Sequence, residues 1–205
     1  MNRMNVDQRR GKLVDAAIVV MLRDGVARTT TRSIVSEAGM TTGAFHYCFF
    51  SKEELELEVM RVLNAHAYEA VLQQLHADAT GTELVERVVV AFVDALVTDA
   101  PRRQLSFELT LHALRTEGLS DAAVKHYRAS LDNAEAFLDD MARVGGFTWR
   151  LPPADLARLC MSVAEGVAFH WVVTDEDGSG QQLKEVLNAF LCGQVVARED
   201  DPVSA

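Results

Sequence analysis

The sequence predicts an all-α protein of about nine helices. Three observations predict it. Apolar residues return every three or four positions through most of the chain, as one buried helix face requires. No stretch alternates apolar and polar residues in the way a half-buried strand does. Residues 30–52 read as two short helices around a glycine-containing turn, a helix-turn-helix. The expected organisation is a three-helix head over 1–52, a long helix, and a helical body over 53–205. With 49% apolar residues in 205, the chain can bury a real core.

Residues 1–5 read as a loose arm carrying Arg3. The first helix is expected over 6–24, with Leu13, Ala16, Ala17, Val20 and Met21 at helical spacing and Gly25 stopping it. Arg9, Arg10 and Lys12 cluster at its start, and both phosphate contact and plain solubility account for them. Thr30 is placed to cap the second helix, whose stripe is Ile34, Val35 and Ala38. Gly39 closes it in the left-handed conformation, and Met40 tucks inward. Thr41 caps a third helix over 42–47. Phe45 and Phe49 lie at i and i+4 and face the core, so Ala44, His46 and Tyr47 point out. Ser51 and Glu54 have the spacing of a capping box that opens the fourth helix.

The fourth helix is expected to run to about residue 76, a rod of roughly 36 Å at ~1.5 Å per residue. A break follows at 77–81. A fifth helix is expected over 82–98. A sixth runs over 101–116 with Pro101 in its first turn. Ser120 is read as the cap of a seventh over 121–144, with Val124, Tyr127, Leu131, Ala134, Leu138 and Met141 inward. Residues 147–151 read as a loop. The eighth helix covers 154–174, an acidic glycine turn covers 175–180, and the ninth helix covers 181–197, with a loose tail beyond. The eighth is apolar nearly all round and must be buried on more than one side. That points to a homodimer formed through residues 154–174 and 181–197.

Charge is unevenly spread. Residues 1–52 hold eight Lys/Arg and four acids, hence +4; the remainder holds 12 and 26, hence −14, which together give the net −10. A basic head on an acidic body suits a nucleic-acid contact, because local field rather than net charge governs binding. Small residues at Thr42, Gly43 and Ala44 let a backbone approach DNA, and a helix N-terminus offers N–H groups to phosphate. Cys48, Cys160 and Cys192 are widely spaced, with no metal-ligand pattern, and no cofactor is expected. There is no apolar signal core and no clean membrane span in this reading, so a cytoplasmic location is expected.

The run Thr30, Arg32, Ile34, Ala38-Gly39, Thr41, Gly43, Phe45-His46-Tyr47, Phe49, Ser51-Lys52-Glu53 and Leu55 resembles the DNA-binding domain of the tetracycline-repressor (TetR) family. Val35, His46, Cys48 and Phe50 depart from the commonest residues of that family. The resemblance implies that 1–52 is a DNA-binding domain and 53–205 an effector-binding and dimerisation domain. It implies a regulator, most simply a repressor that binds a palindromic DNA operator as a homodimer and is released by a small-molecule effector. Thr31, Arg32, Thr42, Gly43, Ala44 and Tyr47 would face bases, and Thr41, His46 and Lys52 would hold phosphates. Polar residues amid apolar ones in the body mark an effector cavity: Phe107, Glu108, Leu111, His112, Tyr127, Asn133, Phe137, Met141, Met161, Glu165, Phe169 and His170. Two alternatives stay open at this point. One is a helix-turn-helix regulator without an effector. The other is an enzyme using His112 or His170 with Glu108 or Glu165 as an acid/base pair, though no nucleophile or phosphate-loop motif accompanies them.

Overall fold

The computed structural model describes residues 4–76, 79–174 and 179–198. Arg3, residues 77–78 of the break, residues 175–178 of the acidic turn and the tail from 199 therefore lie outside the described residues. Nine α-helices appear among the described residues: α1 (Val6–Asp24), α2 (Thr31–Glu37), α3 (Thr42–Cys48), α4 (Lys52–Leu72), α5 (Gly81–Leu96), α6 (Ala100–Arg115), α7 (Ser120–Gly145), α8 (Pro153–Thr174) and α9 (Ser179–Cys192). Two compact units share them. The first comprises residues 1–64 and 101–126, the second residues 65–100 and 127–205. That division differs from a boundary at 52, because α6 and the start of α7 pack with the head.

In the first unit, α1 packs against α2 and α3. Its N-terminus is closed by a capping box in which Asn5 and Gln8 exchange bonds of 2.8 and 3.0 Å. Leu13, Ala17, Met21, Ile34, Phe45, Phe49, Leu55 and Val59 form one core with Leu105, Leu109 and Leu119. Thr30 caps α2 as expected, and Ser33 answers in place of a glutamate: Thr30 N donates to Ser33 Oγ at 3.0 Å. Gly39 has φ +61°, a conformation that L side chains rarely adopt. Met40 N then donates back to the Val35 carbonyl at 2.8 Å, which fixes the turn between α2 and α3.

In the second unit, α5 packs on α9 and, less extensively, on α8. Leu84, Val88, Val89 and Val93 are buried on α5, and Leu183, Leu187 and Leu191 on α9. Gly145 is the last residue of α7, where a Cβ would stand 2.5 Å from the Phe147 ring, and Gly146 leaves the helix with φ +72°.

Several boundaries depart from expectation. The expected loop after α7 contains β1 (Phe147–Trp149), and α9 stops at Cys192 so that β2 (Val195–Ala197) can pair with it antiparallel. Three-residue strands are too short to show alternation against a helical background, and the Val195-Val196 pair reads equally well as a helix end. Ser120 is the first helical residue rather than the cap, since the Leu119 carbonyl already accepts from Ala123 N at 2.9 Å. The α-helical part of α4 ends at Leu72, and Gln73–His76 tightens into a 3-10 turn. Val124 and Tyr127 stand 36% and 41% exposed instead of facing inward; Ala123 and Phe137 are buried on α7 instead.

Candidate nucleic-acid interface and ligand residues

The outer face of the helix-turn-helix is built from what the core leaves over. Phe45, Cys48 and Phe49 are buried, so the 3.6-residue period turns Thr42, Gly43, His46 and Tyr47 outward. Tyr47 is 66% exposed. Thr41 starts α3 with its hydroxyl accepting from Ala44 N at 3.2 Å, which satisfies one amide of the first turn. Arg32 is exposed on α2 and Thr31 is half-buried beside it. An open recess of about 530 Å³ runs along this face, lined by Met4, Val6, Arg9, Gly43, Ala44 and Tyr47. The Arg9 guanidinium lies over the Tyr47 ring, 6.0 Å from its centroid.

Two basic residues of the head face inward. Arg10 stacks 4.1 Å over the Phe49 ring, donates to the Cys48 carbonyl and lies 3.4 Å from Glu54 Oε1. It thus holds the end of α3 to the start of α4. Lys52, expected to hold a phosphate, has its ammonium 2.8 Å from Glu56 Oε1 and donates to the Thr29 carbonyl at 3.3 Å. The box at the start of α4 is also shifted: Ser51 Oγ accepts from Glu54 N at 3.2 Å, but Glu54 Oε2 accepts from Phe50 N at 2.8 Å, not from Ser51. Phe50 itself is 94% exposed. The sequence reading gave Arg10 to phosphate or solvent rather than to the core, and it did not single out Glu56. The four-residue spacing from Lys52 to Glu56 was the available signal.

The candidate effector residues fall in both units. Phe107, Glu108, Leu111 and His112 belong to the first. Glu108 Oε1 accepts from Val26 N at 2.9 Å, capping the 3-10 turn Val26–Arg28 that follows α1. His112 Nε2 lies 3.7 Å from Glu56 Oε2. Two residues picked for a cavity therefore hold α6 to the head. Leu111 is 55% exposed and Phe107 half-buried. Close by, the Asn64 amide meets His126 Nε2 at 3.2 Å, and burial, then the charge of Arg61, pushes the His126 pKa down.

The other eight belong to the second unit. Met141 and Phe137 are buried, and Phe137 meets the Tyr68 ring edge-on at 6.4 Å. Tyr127 donates to Glu165 Oε2 at 3.4 Å; burial and then that carboxylate raise its pKa. Met161 is half-buried, while Asn133, Phe169 and His170 are exposed. Trp149 Nε1 donates to the Leu138 carbonyl at 2.9 Å, so this indole is spent on the fold. Among the described residues no cluster of three or more His, Cys, Asp or Glu could hold a metal.

Comparison with known proteins bears on both units. Residues 13–59 match the model of bacterial regulatory proteins of the tetR family, and residues 81–195 match the C-terminal domain of BetI-type transcriptional repressors. The chain is 32% identical over 117 residues to the nicotine-responsive transcriptional repressor HdnoR of Paenarthrobacter nicotinovorans, covering 55% of this chain and 58% of that one. It is 30% identical over 162 residues to the transcriptional regulator BetI of Agrobacterium fabrum, covering 78% and 71%. The matches to HdnoR and to PksA of Bacillus subtilis span 58% and 65% of those relatives' lengths. Among solved structures, the multidrug binding protein EbrR complexed with imidazole superposes with a TM-score of 0.65 at 25% identity, over 90% of both chains. SmeT, the repressor of a Stenotrophomonas maltophilia multidrug efflux pump, shares the fold at a TM-score of 0.65 and 21% identity, over 95% and 94%. The chain belongs to the tetR family of bacterial regulatory proteins, with a C-terminal region of the BetI-type repressor kind.

Proposed function

We propose that this chain is a DNA-binding transcriptional regulator, a repressor that reads a palindromic operator as a homodimer and is released by a small organic effector. The observation that carries the reading is the sorting of α3. Its aromatic core residues are buried while Thr42, Gly43, His46 and Tyr47 remain exposed on a head of net charge +4. On this reading Thr31, Arg32, Thr42, Gly43, Ala44 and Tyr47 meet base edges, and Thr41 and His46 meet the sugar-phosphate backbone.

The homodimer reading rests on α8 and α9. α8 is long and apolar enough to cross a membrane by length and composition alone, yet only 22% of its apolar window is buried within the chain. Leu159, Val163, Phe169 and Val173 stay exposed along one side of it, with Val186 exposed on α9. A second copy covering that stripe removes it from water. The effector reading rests on the named relatives, one nicotine-responsive and one a multidrug binder. Its residues in this chain are sought in the second unit, around Tyr127, Phe137, Met141, Met161 and Glu165.

The test is selection of bound duplexes from a random pool by the purified chain. A palindrome with two half-sites is the expected result, and Tyr47→Ala should then weaken its binding at least tenfold without altering the melting curve. A folded chain that enriches nothing, with and without candidate effectors, would overturn the reading.

A further inference from the structure

Glu56 is the one charged residue buried outright among the described residues, at 1% exposure. Two groups face its carboxylate, and a third holds the cation beside it. The Lys52 ammonium, from the same helix, lies 2.8 Å from Oε1. His112, from α6, lies 3.7 Å from Oε2. The buried Thr29 carbonyl, from the stretch before α2, accepts from the same Lys52 ammonium. Neither carboxylate oxygen has a hydrogen-bond partner of good geometry, so the charge of Glu56 depends on Lys52 as its nearest full cation. A buried carboxylate deprived of its cation is far costlier than a solvated one, which makes the pair hard to open.

This bears on the DNA contact, because Lys52 opens α4 four residues after α3 ends. A lysine there suits a phosphate, and a phosphate would have to take it from Glu56. We propose that Glu56 withholds Lys52 from the DNA backbone, so that each head binds with one phosphate contact fewer than its basic residues imply. Glu56 is then a positioning residue that acts on DNA through Lys52. His112 stands 3.7 Å from the other oxygen, too far for a hydrogen bond, so Lys52 remains the close partner. The proposal rests on the reading of the head as a DNA binder.

Salt dependence separates this role from a merely structural one. Each phosphate neutralised on B-DNA adds about −0.9 to the slope of log K against log salt. The selected operator, or a mixed-sequence duplex, is titrated with wild type, Glu56→Gln, and the double variant Glu56→Gln with Lys52→Met. Glu69→Gln, the same charge change at an exposed position of α4, is the control for net charge. The expected result is a slope steeper by about 0.9 per head in Glu56→Gln alone, with tighter binding at low salt. Wild type, the double variant and the control should share one slope.

A folded Glu56→Gln protein with the wild-type slope, or with no more than the control's change, overturns the proposal. Should Glu56→Gln fail to fold, the double variant decides, since it buries no charge and keeps the net charge. A slope equal to wild type supports withholding; a shallower one shows Lys52 already on phosphate and overturns it. Wild type that binds no duplex in a salt-dependent way overturns the DNA reading itself, an outcome distinct from a shared slope among proteins that bind.

Discussion

Phe45 carries more of the head than any residue on its surface. It is fully buried, meets Phe49 at 5.8 Å and holds the helix that presents Tyr47. Phe45→Ala should destabilise the chain by about 3–5 kcal/mol, read from denaturant midpoints at fixed protein concentration. Cys160, on α8, offers a pH test. Burial pushes its thiol from the ordinary 9.0 up to about 11. The sign follows from proton counting. Between those values the unfolded chain has lost the proton and the folded chain keeps it, so stability is intact below about pH 9 and falls as pH rises towards 11. The loss is on the order of 2 kcal/mol, and Cys160→Ala should remove that part of the alkaline slope in a pH series of melts.

At the scale of elements, short helices depend on their ends. α2 and α3 have seven residues each, too few for intrinsic helix stability, and each is opened by a threonine whose side chain accepts a backbone N–H. Thr30→Ala and Thr41→Ala should each cost about 1 kcal/mol in equilibrium unfolding, with serine at either site restoring most of it. These caps were legible in the sequence because capping chemistry is local. So were the α1 bounds, the Gly39 turn and the burial of Phe45 and Phe49. What was not legible depends on residues distant in the chain. Glu108 and His112 look like cavity residues on α6 taken alone; the partners that engage them, Val26 N and Glu56, lie more than fifty positions away. Val124 and Tyr127 fit the α7 stripe equally well, and only packing decides that Ala123 and Phe137 are buried there. The strand pair escaped notice because three residues carry no period.

At the scale of the whole molecule, the exposed stripe on α8 governs assembly. Leu159→Glu combined with Val163→Glu places two carboxylates where a second copy is proposed to sit. Sedimentation should show the wild type as a dimer and the double variant as a monomer. Operator affinity should fall steeply with it, since a palindrome rewards two heads held about one helical turn apart, roughly 34–36 Å. Persistence of the dimer in that variant would move the interface elsewhere.

The pairing of β1 with β2 has a consequence for the order in which the chain folds. Phe147 faces Ala197, and Arg150 N donates to the Gln194 carbonyl at 2.8 Å, so the ribbon closes a loop that contains all of α8 and α9. Closing a long loop costs entropy before any contact rewards it, and such pairings form late. The α1–α3 core involves short separations and can condense early. The side of α8 that packs on α9 therefore lacks its cover in a nascent chain until α9 has been made. Refolding should accordingly show a fast phase reporting on the head and a slower one in tryptophan fluorescence, since both tryptophans, Trp149 and Trp171, lie in the second unit. Removing residues 194–198 should slow or abolish the second phase while sparing the first.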